Sequence, residues 1–411
     1  MVEISCKLLG GRSVFIAGET VECDITFKIS ESYVSNRSKS PLVKLAWASA
    51  QIHCQCSVNE SKIALGDKSH KNSESSSNLN RVGSHETSLA PFKDEKGSTV
   101  FSSKPAILFC DITLGPGDSQ TFRYKETLPV NIAPSYRGSC LKYSYKITIG
   151  TQKIGGHIKL MKIPIRVLII PGLEGMMNLC EGSDDCRPTN PFYQPIPNDN
   201  SIFDVAMENL QLLTCRKIPS HYNITNKKGL VVEFCLFKHA FRLGDDIIGV
   251  CIFDKAAVKC VQFSVTLQCK ETLLDGCHLK STNRKASSSS LSTADLDGSI
   301  VTNVNKHEEF ILFVQRTHIA IPIPLTATPA FSTDLVALKW RLHFEFVTLT
   351  SPLLEHPSES NPVHPPKTTW TAPANLDVET MVWDLPIKIY ATNPAFINKV
   401  SMLNSESVCT L

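Results

Sequence analysis

Two stretches of the chain, FIAGETVECDITF from Phe15 to Phe27 and FRLGDDIIGVCIF from Phe241 to Phe253, are one element written twice. Each reads aromatic, two spacers, glycine, acid, then alternating apolar residues. Gly18 and Gly244 reach positive φ at little cost, so a turn is expected at each, with a strand leaving it. After Gly18, the residues Val21, Cys23, Ile25 and Phe27 alternate with Glu22, Asp24 and Thr26, the period-two pattern of a half-buried strand. A chain that repeats such a unit is a duplicated β protein.

The correspondence continues. Ala46, Ala48, Ala50, Ile52, Cys54 and Cys56 alternate with Trp47, Ser49, Gln51, His53 and Gln55, as Val261, Phe263, Val265 and Leu267 alternate with Gln262, Ser264, Thr266 and Gln268. KYSYKITI from Lys142 matches KWRLHFEF from Lys339, so Tyr143, Tyr145, Ile147 and Ile149 fill the places of Trp340, Leu342, Phe344 and Phe346. IPIRVLI around Pro164 parallels LPIKIYA around Pro386, a closing strand in which proline is expected at the start, where a missing ladder donor is tolerated.

These elements place a first sandwich over 1–172, with a polar insertion at 66–104, and a second over 228–394, with a polar insertion at 276–306. A linker spans 173–227; within it Asp204 is expected to cap a short helix through Val205, Leu210 and Leu213, and HYNIT from His221 reads as a strand. Both insertions hold too little apolar surface to offset the entropy of ordering and are expected to be disordered, and the tail at 395–411 flexible. The predicted fold is therefore all-β, two tandem antiparallel sandwiches that resemble arrestins.

With 42 Lys plus Arg against 39 Asp plus Glu, a net charge of +3 spread over 411 residues gives no strong field, so no nucleic-acid partner is expected. The opening MVEISCKLLGGRS shows no basic leader or sustained apolar run, and a cytosolic chain is expected. The 15 cysteines are an odd number in a large chain, and Cys110, Cys235 and Cys251 fall in apolar strands, which points to buried free thiols rather than a disulfide scaffold. Cys180 and Cys186 flank an acidic loop but lack a second pair at ligand spacing, so no metal is expected.

Catalytic signatures are missing: there is no phosphate-binding glycine loop, no HExxH and no GxSxG elbow. No catalytic, cofactor or metal residues are assigned. Asp245 and Asp246 follow Gly244 and read as turn residues. His53 and His343 are expected to face solvent or the other sheet edge, Trp340 the core, and Trp370 and Trp383 are expected as core or interface residues. RKASSSS from Arg284 makes Ser287 a candidate phosphosite for a basophilic kinase. Asn36 and Asn223 begin glycosylation sequons that have no bearing on a cytosolic chain.

The strings FIAGETVEC, LAWASAQIHCQC, ILFCDITLGPG, FRLGDD, LKWRLHFEFVT, TTWTAP and WDLPIKI together resemble the Rgp-one family, over nearly the whole chain outside the insertions and tail. The resemblance implies an arrestin-like, non-catalytic subunit of a heterodimeric guanine-nucleotide exchange factor. Its obligate partner would be Ric-one, its substrate protein the Rab-six GTPase, and its place the cytosol and, peripherally, the Golgi membrane, where retrograde endosome-to-Golgi transport depends on it. The family offers no short motif that assigns partner-binding residues. A cargo adaptor is the main rival, but the only Pro pair, Pro365 and Pro366, is followed by Lys367 and Thr368 rather than completing a PPxY motif. A retromer-type scaffold would share the fold without exchange activity.

Overall fold

The computed structural model of the protein describes residues 2–29, 42–65, 97–175, 201–215, 218–274, 277–279, 292–294, 299–351 and 375–401. The first lobe comprises β1 (Val2–Leu8), β2 (Val14–Ile16), β3 (Thr20–Ile29), β4 (Val43–Val58), β5 (Ile63–Leu65), β6 (Ser98–Ser102), β7 (Ala106–Leu114), β8 (Ser119–Thr127), β9 (Tyr136–Arg137), β10 (Leu141–Lys153) and β11 (Ile158–Leu168). Helix α1 (Ile202–Thr214) leads to β12 (Ser220–Asn226), β13 (Gly229–Leu236), β14 (Ala240–Arg242), β15 (Asp246–Ile252), β16 (Cys260–Leu273), β17 (Cys277–Leu279) and β18 (Ser292–Ala294). Then come β19 (Ser299–Phe310), β20 (Arg316–Pro322), β21 (Phe331–Ser332), β22 (Val336–Leu349), β23 (Val378–Tyr390) and helix α2 (Pro394–Ser401).

In the first lobe the sheet β1-β3-β8 packs on the sheet β2-β11-β10-β4-β6, to which β7 and β9 add. In the second, β12-β13-β15-β20 packs on β14-β23-β22-β16-β19-β18, with β21 added. The register fulfils the alternation: Tyr145 lies opposite Cys54 and Ile147 opposite Ile52, as Phe344 lies opposite Val265 and Phe346 opposite Phe263. Each of these buried rings removes enough apolar surface to stabilise its lobe by about 1.5–3 kcal/mol.

The duplicated turns are copies down to their side-chain bonds. Gly18 has φ 92° and Gly244 φ 88°. Glu19 accepts the Ile16 N–H at 3.0 Å, and Asp245 accepts the Arg242 N–H at 3.0 Å. Arg12 pairs with Glu19 at 2.5 Å and lies over Phe15, while Lys238 pairs with Asp245 at 2.6 Å and lies over Phe241. Asp245 is thus a turn acid, as expected.

The structure departs from the sequence reading in several places. Pro164 and Pro386 lie inside β11 and β23, not at their starts. Strands β2 and β14 pair in parallel with the ends of these strands, where Arg166 N–H donates to Ser13 C=O and Lys388 N–H to His239 C=O. Two residues earlier on the same edge, each proline aims its hydrogen-less nitrogen at a side that no strand among the described residues occupies.

Ser201, not Asp204, is the N-cap of α1: its hydroxyl accepts the Asp204 N–H, and Asp204 sits in the first turn. Ser220–Asn226, assigned to the linker, pairs with β13 as the edge of the second lobe's smaller sheet. Parts of both insertions are strands: β6 pairs with β4, and β19 pairs with β16 along almost its whole length. Residues 66–96 and most of 276–298 lie outside the described residues. The start of the tail is helix α2, whose Ile397 is buried against Val14 and Ile16 of the first lobe and whose Asn398 accepts the Ser13 N–H at 3.0 Å. Cys110 is exposed, because it lies on the outward phase of β7, and His53 is buried, because the outward face of β4 is covered.

Candidate interaction surface

The two lobes meet along a seam built from side chains that the alternation does not reveal. Glu271, 5% exposed, follows Phe263, Val265, Leu267 and Cys269 on the inward phase of β16. It accepts the backbone N–H groups of Ser139 at 2.9 Å and Cys140 at 3.2 Å, in the turn between β9 and β10. Burial, reinforced by this carboxylate, holds the Tyr136 hydroxyl well above its ordinary pKa, so it stays protonated. Tyr136 packs edge-on against Phe331 with ring centroids 4.9 Å apart, and the Tyr143 hydroxyl meets Thr333 at 3.1 Å.

Arg166 on β11 reaches across the seam and donates to the carbonyls of Leu325 at 3.2 Å and Ala327 at 2.8 Å. Burial lowers its pKa, and two carbonyl dipoles compensate part of that cost. Helix α1 bridges both duplicated turns. Ile202 packs under Gly18, Asn209 donates to the Pro171 carbonyl at 3.1 Å, and Arg242 of β14 donates to the Thr214 hydroxyl at 2.7 Å. Backbone pairing of β5 with β17 adds a further link between the lobes.

Two apolar recesses flank the seam. One of about 520 Å³ is walled by Phe101, Tyr143, Ile169, Leu173 and Leu335, and one of about 860 Å³ beside α1 is walled by Leu212, Ile218, Phe331, Trp340 and Tyr390. Concave apolar surface of this kind takes protein segments as readily as small ligands. The smaller sheets end in edge strands, β1 and β8 in one lobe and β12 and β20 in the other. Their backbone groups, unpaired among the described residues, offer strand-addition sites.

Of the residues singled out in the sequence, His343 lies on the outward face of β22, its Nδ1 2.6 Å from Asp384, which also accepts from Arg341 at 2.9 Å. Trp340 is a core residue whose indole donates to the Thr328 carbonyl at 3.1 Å. Trp383 joins Phe344, Phe234 and Tyr222 in an aromatic cluster, which places it with the core. Asn223 sits in β12 opposite Glu233. Cys180, Cys186, Asn36, Ser287 and Trp370 lie outside the described residues. Burial pushes the thiols of Cys54, Cys251 and Cys260 up to about 12, which makes them inert packing groups. Among the described residues no cluster of three His, Cys, Asp or Glu is placed to hold a metal ion, and no helix is long and apolar enough to cross a membrane.

Glu271 and Arg166 are the functional-looking residues that sequence reasoning missed. For Glu271 a signal existed, an acid on the inward phase of an otherwise apolar alternation. For Arg166 none did, because it sits on the outward phase where charge is ordinary.

A family model described as Rgp1 matches residues 12–171 and 191–349. The chain is 36% identical over 418 residues to a human protein named RAB6A-GEF complex partner protein 2, covering 100% of both chains. It is likewise 36% identical to the protein of the same name from Bos taurus, over 96% of this chain and 95% of the relative. A solved structure, the sporulation control protein Spo0M from Bacillus subtilis, overlaps 64% of this chain and 78% of its own at 11% identity and a TM-score of 0.26, too low to bear on fold or function.

Proposed function

The chain belongs to the Rgp1 family, and on that premise we propose that it is the non-catalytic subunit of a heterodimeric guanine-nucleotide exchange factor. With Ric-one it promotes replacement of GDP by GTP on Rab-six at the Golgi and so supports retrograde endosome-to-Golgi transport. The observation that carries this reading is the end-to-end match to the human RAB6A-GEF complex partner protein 2.

The chemistry asked of such a subunit suits stacked sheets. Exchange makes and breaks no covalent bond; the factor binds the nucleotide-free GTPase more tightly than the nucleotide-bound one by holding its switch segments away from phosphate and magnesium. That demands extended, preformed docking surface rather than an acid–base pair, and a stable heterodimer buries on the order of 2,000 Å² or more. The edge strands and seam recesses supply surface of the required kind.

The test is GDP release from Rab-six. The copurified pair of this chain with Ric-one accelerates release, and the chain alone does so weakly or not at all. Release at the spontaneous rate in the presence of the pair would transfer the reading to a cargo adaptor or a retromer-type scaffold.

A further inference from the structure

We propose that the outward face of the second lobe's larger sheet, where it adjoins α1, binds the anionic surface of a phospholipid bilayer. Three lysines stand abreast there on three neighbouring strands. Lys270 of β16 faces Lys339 of β22, and the pairing of Trp340 with Ile387 sets Lys339 beside Lys388 of β23. The row continues through Val301 to Thr293 of β18 on one side and ends in Ala240 on the other, so among the described residues it contains no acid.

Like charges directly opposed on adjacent strands weaken a sheet, and a fold carries such an arrangement at a cost. Elsewhere on this face the charges are balanced: Arg341 with Asp384, His343 with Asp384, and Lys306 with Glu308. The excess is local. Lys339 and Lys388 are both exposed, and among the described residues neither makes an ion pair. A near-neutral chain thus sets two exposed lysines, Lys339 and Lys388, side by side with no ion pair among the described residues.

The neighbouring side chains identify the partner's chemistry. Lys339 and Lys388 line the same recess as Leu212, 59% exposed, and Ile218, 88% exposed. Aliphatic side chains projecting beside lysines are what a peripheral bilayer contact needs: the aliphatics enter the boundary between headgroups and acyl chains while the ammonium groups stay level with the phosphates. An acidic peptide fits less well. Acids on one face of an extended peptide recur about every 7 Å, whereas the lysines, about 5 Å apart across the strands, form a row that a planar array of lipid phosphates meets without register.

This inference goes beyond the exchange-factor reading and does not rest on it, since vesicles carry no partner protein. The full-length chain is mixed with vesicles of phosphatidylcholine alone or with added phosphatidylserine, and bound protein is measured by flotation. The wild type partitions onto the anionic vesicles in a salt-sensitive manner. The double variant Lys339→Ala, Lys388→Ala loses roughly twenty-five-fold, from about fivefold for each lysine near such a surface. Ile218→Ser weakens binding with thermal unfolding unchanged, and Lys339→Arg with Lys388→Arg retains it. Equal partitioning onto both vesicle types, or undiminished binding by the double alanine variant, overturns the proposal. So does a wild type that ignores vesicles yet captures a glutamate-rich peptide through the same two lysines, which would make the face a peptide reader.

Discussion

Glu271 of the second lobe accepts the backbone N–H of Ser139 in the first at 2.9 Å, a charge-assisted bond across residues 132 apart in sequence. Its second oxygen takes the Cys140 N–H, so one carboxylate satisfies two buried donors. Glu271→Ala leaves both unpaired and is expected to cost about 3 kcal/mol in chemical denaturation, while Glu271→Gln, which keeps one acceptor, costs about half as much. An alanine variant within about 0.5 kcal/mol of wild type, the scatter of ordinary surface changes, would mean that the seam is held by its aromatic contacts instead.

Both turn glycines, one in each lobe, are expected to resist substitution. At φ 92° and 88°, Gly18→Ala and Gly244→Ala are strained, and the new methyl meets Ile202 at 3.2 Å in one case and Leu325 at 2.8 Å in the other. Each variant is expected to lose about 1–3 kcal/mol, with Gly244→Ala the worse. Gly175→Ala, where an added Cβ meets nothing within 4 Å, serves as the control in the same thermal melts.

Thiol labelling separates the cysteines by exposure. Cys110 and Cys215 are exposed and are expected to react with iodoacetamide in the native protein within minutes, whereas Cys54, Cys251 and Cys260 react only after unfolding. Peptide mass mapping before and after denaturant reads the difference; native labelling of Cys251 would contradict its place between the second lobe's sheets.

A pH effect is expected at His239. Burial lowers its pKa below the ordinary value, and its Nε2 lies 3.1 Å from the Tyr222 hydroxyl, itself held protonated by burial. The unfolded chain therefore binds the proton more readily than the folded one. Stability from this site is fully present above the ordinary histidine value near 6.5, falls as pH drops through it, and levels off below the lowered folded value. His239→Gln is expected to flatten that part of the stability profile measured by urea titration at successive pH values; an unchanged profile would show the ring to be solvated.

Much of the architecture was readable because alternation records burial one residue at a time. Val21, Cys23, Ile25 and Phe27, and likewise Trp340, Leu342, Phe344 and Phe346, face inward as the pattern requires, and the repeated Gly–acid turns fixed the duplication. What the pattern obscured was strands whose exposed face is polar: β19, reading SIVTNVNKHEEF, pairs along one side with β16 yet carries enough polar residues to look like an unstructured insertion. The seam was illegible for a different reason. Glu271 and Ser139, or Arg166 and Leu325, share no local pattern, and only the packing of two finished lobes brings them together.

Helix α2 gives the molecule a clasp. Having completed the second lobe with β23, the chain sends Ile397 and Asn398 back onto β2, so the lobes are joined by a returning arm as well as by the connection that links them in sequence. Hinge-like opening about α1 must first lift that arm. A partner that levers the sandwiches apart therefore works against a closed loop of contacts, and trimming the chain before Pro394 would turn a buckled belt into an open one.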